Sequence, residues 1–309
     1  MSVSRKLKLC REFGVNVVLS DLLATNIRIP RITSRYKDRV ILDWFREHYG
    51  QVIEEYRSIT SPTGSSTDSS SLPVWSMWLQ GEGNAPEIVR LCLASTRSRC
   101  GTHPFHVITS ENLGSYLSLP GYVHGRLRDG SMKTAHFSDI VRMALLAEWG
   151  GLWLDATIFT ASDIPDEVFA HEYYTVRHTT NIHDRNVALQ RWTTYLQASH
   201  RNNILCRFVR DMLLEYWKNH TTFIDYVMTD YIIALAYEDL PICRELLDAV
   251  PMNNPRIEDM RPLLGTKYIE DVYDELTSDT CFFKLTYKQN FPESAGGRET
   301  FYAHILSRS

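Results

Sequence analysis

Residues 135–160 read AHFSDIVRMALLAEWGGLWLDATIFT, and a change of period inside this stretch decides the fold. Phe137, Ile140, Val141, Ala144 and Leu145 recur at helical spacing, which predicts a helix with a buried stripe. Ser138 is a suitable N-cap, so the helix is expected to run from there to about Glu148. Gly150 and Gly151 end it, because glycine tolerates the left-handed cap conformation. The apolar run LWLDATIFT follows at once, which predicts a tight return into a strand.

Three polar residues interrupt these apolar elements. Asp139 and Arg142 lie three apart, so they share one helix face near its N-terminus, where the dipole favours a carboxylate. An Asp accepts hydrogen bonds from sugar hydroxyls, and an Arg forks onto a sugar or onto phosphate oxygens. The competing reading is a plain surface ion pair. In a strand Asp155 and Thr157 point the same way, opposite Leu154, Ala156 and Ile158. A carboxylate and a hydroxyl so spaced can both reach one Mg²⁺ or Mn²⁺ ion, which prefers oxygen ligands and shares them with substrate phosphates. An ionised Asp in an apolar strand is costly unless partnered, and loop amides are the alternative partner.

The flanks organise around this centre. PVWSMWLQGEGNAPEIVRLCLAS opens the main domain with a strand from Val74 to Leu79, a break at Gly81 and Gly83, and a helix from Ala85 to Ser95 with Pro86 in its first turn. PFHVITSEN, residues 104–112, is a second strand with its exit loop. Strand–helix–strand order predicts an α/β domain with a mostly parallel sheet, whose ligands collect at the carboxyl ends of the strands. Trp78, Gln80 and Gly81 are therefore candidate pocket residues; a core tryptophan and a simple turn are the alternatives. Residues 202–220 present one broad apolar face, and residues 221–239 form a second helix carrying Asp225 and Asp230 within its apolar pattern. Ile41, Phe45, Tyr49, Val52 and Tyr56 mark an amphipathic helix over residues 36–58. Residues 59–72, Ser/Thr-rich, read as a linker between an N-terminal helical extension, 1–58, and the main domain, 73–309.

Composition narrows the function classes. The 309 residues are 44% hydrophobic and 23% charged, enough for a sizeable core. A net charge of −4 argues against a general nucleic-acid binder. Residues 1–58 hold 11 Lys+Arg against 7 Asp+Glu, so the extension is basic and can touch an acidic lipid surface; a solvated helical face is the plainer reading. The six cysteines include no C-x-x-C pair, which disfavours zinc and suits reduced thiols in a cytoplasmic protein. No signal peptide is recognisable, and no window approaches the about 18 apolar residues of a membrane span. Any membrane contact is expected to be peripheral, on the cytoplasmic face.

SDIVR…LLAEWGGLWLDAT resembles the S-D-x-x-R…GG-x-x-x-D-x-D pattern of retaining glycosyltransferases with the GT-A fold, among them fungal outer-chain mannosyltransferases and clostridial toxin glucosyltransferases. Over about residues 72–306, including RWTTYLQAS, EYWKNH…FIDYVMTDYII and CFFKLTYKQNF, the chain is more closely similar to the bacterial capsular polysaccharide synthesis protein family. The resemblance implies that Trp78 to Gly81 hold the nucleobase. Ser138, Asp139 and Arg142 would bind the donor sugar, and Asp155 would bind metal and sugar or ribose hydroxyls. Thr157 stands where many GT-A enzymes have the second Asp, so metal binding there is weakened or left to Asp155. In KLTYK alternation in an extended segment would put Lys284, Thr286 and Lys288 on one face, where beside a diphosphate they would stabilise the leaving group; an exposed face is the alternative. Asp230 would meet the acceptor hydroxyl or the anomeric centre, and Trp192 and Tyr231 would stack on a sugar ring. The implied partners are a nucleotide sugar, a UDP-sugar first, and a glycan acceptor, lipid-linked. Protein glycosylation, a non-catalytic nucleotide-sugar binder and a carboxylate-pair hydrolase are competing readings, the last ranked lowest.

Overall fold

The computed structural model describes residues 3–26, 30–59, 72–177 and 186–307. Most of the expected linker, residues 60–71, lies outside the described residues. Three helices come first: α1 (Val3–Phe13), α2 (Val15–Asn26) and α3 (Pro30–Arg57). Then follow β1 (Val74–Met77), α4 (Glu87–Arg99), β2 (Phe105–Ile108), α5 (Gly121–Arg128), α6 (Thr134–Trp149), β3 (Gly151–Leu154), β4 (Ile158–Thr160), α7 (Glu167–Ala170), β5 (Tyr173–Thr175) and β6 (Leu196–Ser199). Helices α8 (Ile204–Asn219) and α9 (Met228–Asp239) and, near the C-terminus, strand β7 (Phe282–Lys284) complete the frame of the site.

The central sheet has the order β2-β1-β3-β6-β5. Strands β2, β1 and β3 pair in parallel, while β6 runs antiparallel to both β3 and β5, so four of the five strands point one way. This is the expected mixed α/β architecture with a mostly parallel sheet and flanking helices. Strands β1 and β3 are buried along their whole length, as crossover-linked strands covered on both faces must be. One large apolar cluster joins α3, α6, α8 and α9 to the sheet. A smaller one gathers α4, β4, β7 and the C-terminal helix. Helix α3 shares the large cluster through Ile41, Phe45, Tyr49 and Tyr56, so the N-terminal helices pack on the same core as the sheet.

Several local expectations are corrected. Helix α6 starts at Thr134, one turn before Ser138, and Lys133 precedes it without a side-chain cap. The extra turn is drawn in by packing: His136 and Phe137 are buried, and the His136 ring lies 4.6 Å from that of Phe223. The run LWLDATIFT is not one strand. It breaks at Asp155, whose carbonyl accepts from the Ile158 amide at 2.8 Å, and β4 then leaves the central sheet to pair with β7. Helix α4 begins after Pro86 rather than around it. Residues 221–227 precede helix α9 as irregular chain, held by the Tyr216 hydroxyl, which donates to Thr222 O and accepts from the Ile224 amide. Helix α3 extends beyond the predicted 36–58 at its start and carries a non-helical residue, Tyr49, at φ −127°.

The double glycine performs the return from α6 to β3. Gly150 has φ 70° and its amide closes on Leu146 O at 3.0 Å. Gly151 has φ 100°, and a Cβ built there would lie 2.0 Å from the carbonyl oxygen of Pro73. Glycine is thus required at 151 both by backbone conformation and by the approach of β1.

Candidate functional site

A cavity of about 400 Å³ opens at the carboxyl ends of β1 and β3. Its walls include Trp78 and Gln80 after β1, Ser138, Asp139 and Arg142 on α6, Asp155 and Thr157 after β3, and Thr229 and Asp230 at the start of α9. Residues far apart in sequence meet here because three elements end at one point: α6 contributes its first half, and β3 and β1 deliver their C-terminal ends.

Arg142 is the hub. It is buried, with its guanidinium 5.2 Å from the Trp153 ring centre. Nη1 donates to Asp139 Oδ1 at 2.9 Å and Nη2 to Asp155 Oδ1 at 3.3 Å. The other Asp139 oxygen accepts from the Thr229 hydroxyl at 2.8 Å. Asp155 is held more fully: its Oδ1 also accepts from Trp153 Nε1 at 3.0 Å, and its Oδ2 accepts from Lys284 Nζ at 2.7 Å. Lys284, at the end of β7, lies 4.9 Å from the centre of the Tyr195 ring. The surface ion-pair reading of Asp139 and Arg142 is therefore replaced by a buried network of two carboxylates and two cations.

The three acids differ in the direction in which their surroundings shift them. Burial pushes Asp155 up, but Lys284 and then Arg142 more than reverse it, and the carboxyl stays below the usual range. Burial raises Asp139, with Arg142 and the Thr229 hydroxyl only partly opposing. Asp230 is raised to about 7, first by burial; the Trp192 N–H lowers it, Asp139 raises it, Arg142 lowers it and Asp225 raises it. Its Oδ1 accepts from Trp192 Nε1 at 3.0 Å. Two buried donors on cavity residues, Arg142 Nε and Trp78 Nε1, have no hydrogen-bond partner among the described residues, which leaves each available to a ligand oxygen.

The remaining expected residues divide. Ser138 lines the cavity although it caps nothing. Gly81 does not line it; it has φ 83° and turns the chain behind Trp78, its amide closing on Trp78 O at 2.9 Å. Thr157 lines the cavity, but from a turn, so strand alternation with Asp155 is not the reason the two meet. Lys284, Thr286 and Lys288 do not share a face. The chain leaves β7 after Lys284; Thr286 is buried, with its hydroxyl oxygen accepting from the Lys288 amide, and Lys288 is exposed. Tyr231 is buried and donates its hydroxyl to Asp38 on α3, away from the cavity. Trp192 is buried too, so neither ring stands open as a sugar platform in the main cavity.

Sequence reasoning missed Trp153, Thr229 and Tyr287. Tyr287 lines the cavity and meets Trp78 edge-on, ring centres 5.4 Å apart. It sits inside the KLTYK segment singled out for its lysines, so its position was marked by the wrong residue type.

Residues 23–305 match the family of capsular polysaccharide synthesis proteins. The chain belongs to that family. The expectation of an enzyme of capsular polysaccharide synthesis, a glycosyltransferase, agrees with this membership. No curated protein matches the sequence significantly. Among solved structures, the PaToxG glycosyltransferase is similar at 12% identity over 72% of this chain and 84% of that one, with a TM-score of 0.41, a likeness that carries no functional weight. Among the described residues no helix is long and apolar enough to cross a membrane.

A divalent ion is part of the expected chemistry, and the donor set can be tested against it. Among the described residues no group of three or more His, Cys, Asp or Glu side chains could hold a metal. Asp155 with the Thr157 hydroxyl is a set that fits only an ion sharing its coordination with substrate phosphates, the usual habit of Mg²⁺. Asp155 Oδ2 already accepts from the Lys284 ammonium at 2.7 Å, so a metal bound there would compete with that ammonium.

Proposed function

We propose that the protein is a retaining hexosyltransferase that moves a hexose from a nucleotide diphosphate sugar, a UDP-sugar, to a growing capsular or surface polysaccharide on a lipid-linked acceptor. The observation that carries the reading is that Asp139, Arg142 and Asp155 line one cavity and that Arg142 and, from behind the cavity wall, Lys284 converge on Asp155. Trp78 and Tyr287 supply an aromatic corner suited to a nucleobase, and the unpartnered Arg142 Nε is suited to a phosphate or sugar oxygen. Asp139 and Asp155 accept hydrogen bonds from the hexose or ribose hydroxyls. Arg142 and Lys284 hold positive charge near the diphosphate before the reaction begins, so no reorganisation is needed as the leaving group gains charge. The bond from the anomeric carbon to the phosphate oxygen breaks, its electron pair leaving with the nucleotide. The acceptor oxygen bonds to the same carbon from the same face, and its proton passes to the departing phosphate. Asp155 and Thr157 would hold Mn²⁺ or Mg²⁺, which when bound supplies Lewis-acid charge to the diphosphate.

A panel of UDP- and GDP-sugars, assayed for nucleotide release with and without Mn²⁺, tests the reading. Release is expected from one or a few UDP-sugars. No release from any donor, despite measurable UDP binding, would favour the non-catalytic binder that the neutral Thr157 suggests. Transfer to protein rather than to a lipid-linked glycan would redirect the acceptor.

Two further results are expected at this site. Thr157→Asp restores a second carboxylate and is expected to lower the Mn²⁺ concentration for half-maximal activity by about tenfold, the gain of about one charge-assisted contact; an unchanged Mn²⁺ titration would remove Thr157 from the metal site. Asp230 titrates near 7. If its ionised form receives the acceptor hydroxyl, transfer climbs as pH rises through about 7, while donor hydrolysis follows a different profile. Asp230→Asn is expected to abolish that inflection. Because the folded-state value is raised, the same group favours the fold at low pH, and this contribution is lost as pH rises through about 7.

We also propose a cytoplasmic protein with peripheral contact at the inner membrane face through α1 and α2. In support, Leu7, Val15, Leu19 and Leu23 are exposed there, in a segment rich in Arg and Lys. Co-sedimentation of the full chain with phosphatidylglycerol vesicles, weakened in Leu19→Glu, is the expected result; equal sedimentation of both proteins would remove the contact.

A further inference from the structure

Behind Asp230 lies a second cavity of about 260 Å³, formed by Gln190, Trp192, Thr193, Tyr195 and Glu258 among others. It shares Thr194, Val227 and Asp230 with the donor cavity, so these residues form a common wall. A second link joins the two. The Tyr195 ring lines the small cavity and lies 4.9 Å from Lys284 Nζ, which in turn holds Asp155. The small cavity therefore borders the charged centre from two directions.

We propose that this second cavity is the acceptor subsite and takes a single neutral pyranose, the terminal sugar of the acceptor, with a hydroxyl next to the attacking one donating to Asp230 across the shared wall. The inference rests on the donor reading given above.

The chemistry of the walls selects this class of ligand. Among the described lining residues there is no Lys or Arg side chain, so none of them supplies a counter-charge to a phosphate. Two carboxyls, the Asn186 and Gln190 amides and the Thr193 and Thr194 hydroxyls offer hydrogen bonds to sugar hydroxyls, and the half-buried Tyr195 offers apolar ring surface. The volume suits one ring and not a chain of several. The wall is also built with care. Trp192 is buried and fixed by its N–H to Asp230 Oδ1, while the Arg191 guanidinium covers its ring at 4.7 Å and that of Tyr237 at 4.1 Å. Leu189 and Gln190 hold φ of 48° and 63° without being glycine. Strain of this kind persists only where surrounding structure enforces it, and it clusters at ligand sites. The Trp192 bond engages Oδ1 of Asp230, the oxygen on the side of the second cavity's tryptophan, and the hydrogen-bond capacity of a carboxylate exceeds that one donor.

The test uses the full chain and saturation-transfer NMR with the methyl glycosides of glucose, galactose, mannose and N-acetylglucosamine, with and without UDP. At least one glycoside is expected to receive saturation. Gln190→Trp, which fills the cavity, and Glu258→Ala, which removes a hydrogen-bonding wall, are each expected to cut that signal at least fivefold. UDP affinity should change less than twofold in both, and thermal unfolding together with UDP binding shows that each variant is folded. No binding of any glycoside, or a signal equal to wild type in both variants, would overturn the proposal. Failure of the unsubstituted protein to bind UDP would instead sink the donor reading, and the arm without UDP would still decide what the second cavity accepts.

Discussion

Replacing Arg142 by methionine is expected to lower the rate of nucleotide release from the donor at least a thousandfold. Met fills similar space without charge, so packing over Trp153 is largely kept. What disappears is the fork that spans Asp139 and Asp155. Removing one preorganised donor from a reacting centre costs about 10²–10³ in rate, and Arg142 also neutralises two acids that would then repel each other. Breaking a buried ion pair by deleting one partner costs about 3–5 kcal/mol, because the other partner stays buried and unpaired. The thermal midpoint is therefore expected to fall as well, and the two readouts are measured together. Arg142→Lys supplies the control: one ammonium keeps the charge but reaches only one carboxylate well, so activity should be intermediate. Turnover in Arg142→Met within tenfold of wild type would show that the network is structural only.

Gly151→Ala is expected to be the most destabilising single-methyl change in the molecule. The added carbon would sit 2.0 Å from Pro73 O, at φ 100°. The contact is with backbone, so no rotamer change relieves it, and either β1 or the α6–β3 return must move. A loss of about 4 kcal/mol or more is expected, in the exceptional range for point changes. Gly150→Ala is milder in contact, at 2.8 Å from the Arg201 amide nitrogen, and should lie between. Denaturant unfolding of the three proteins checks the order. A Gly151→Ala protein within 1 kcal/mol of wild type, on the scale of an ordinary surface change, would mean that the approach of β1 to β3 is looser than described.

The legible parts of the site were those written in local order. The S-D-x-x-R spacing on one helix, the double glycine and the following Asp lie within 18 residues of one another; periodicity placed them on adjoining elements, and the resemblance to the family motif implied that Asp139, Arg142 and Asp155 meet. What escaped were contacts made by chain distant in sequence. Thr229 bonds Asp139 from 90 positions away, and nothing in FIDYVMTDYII distinguishes Thr229 from a cap or a surface hydroxyl. The break at Asp155 was invisible because Ala156, Thr157 and Ile158 have ordinary strand propensity. Tertiary contacts turn the chain there: after a last rung from the Asp155 amide to Tyr195 O, the Ile158 amide closes on Asp155 O, Lys284 claims the carboxylate and β4 departs to pair with β7. Alternation then misplaced Thr286 and Lys288, since a period-2 argument holds only while the chain stays extended. The boundary of α6 was missed by one turn because buried contacts of His136 outweighed the capping preference of Ser138.

Lys284, on strand β7, meets Asp155 from 129 positions further along the chain. During synthesis the sheet and the motif helix leave the ribosome long before their ammonium partner does. A chain halted in that interval, or clipped ahead of β7, keeps an acid that only Arg142 balances, in a half-built pocket. The charge balance at Asp155 is thus completed only once β7 has been made and has paired with β4.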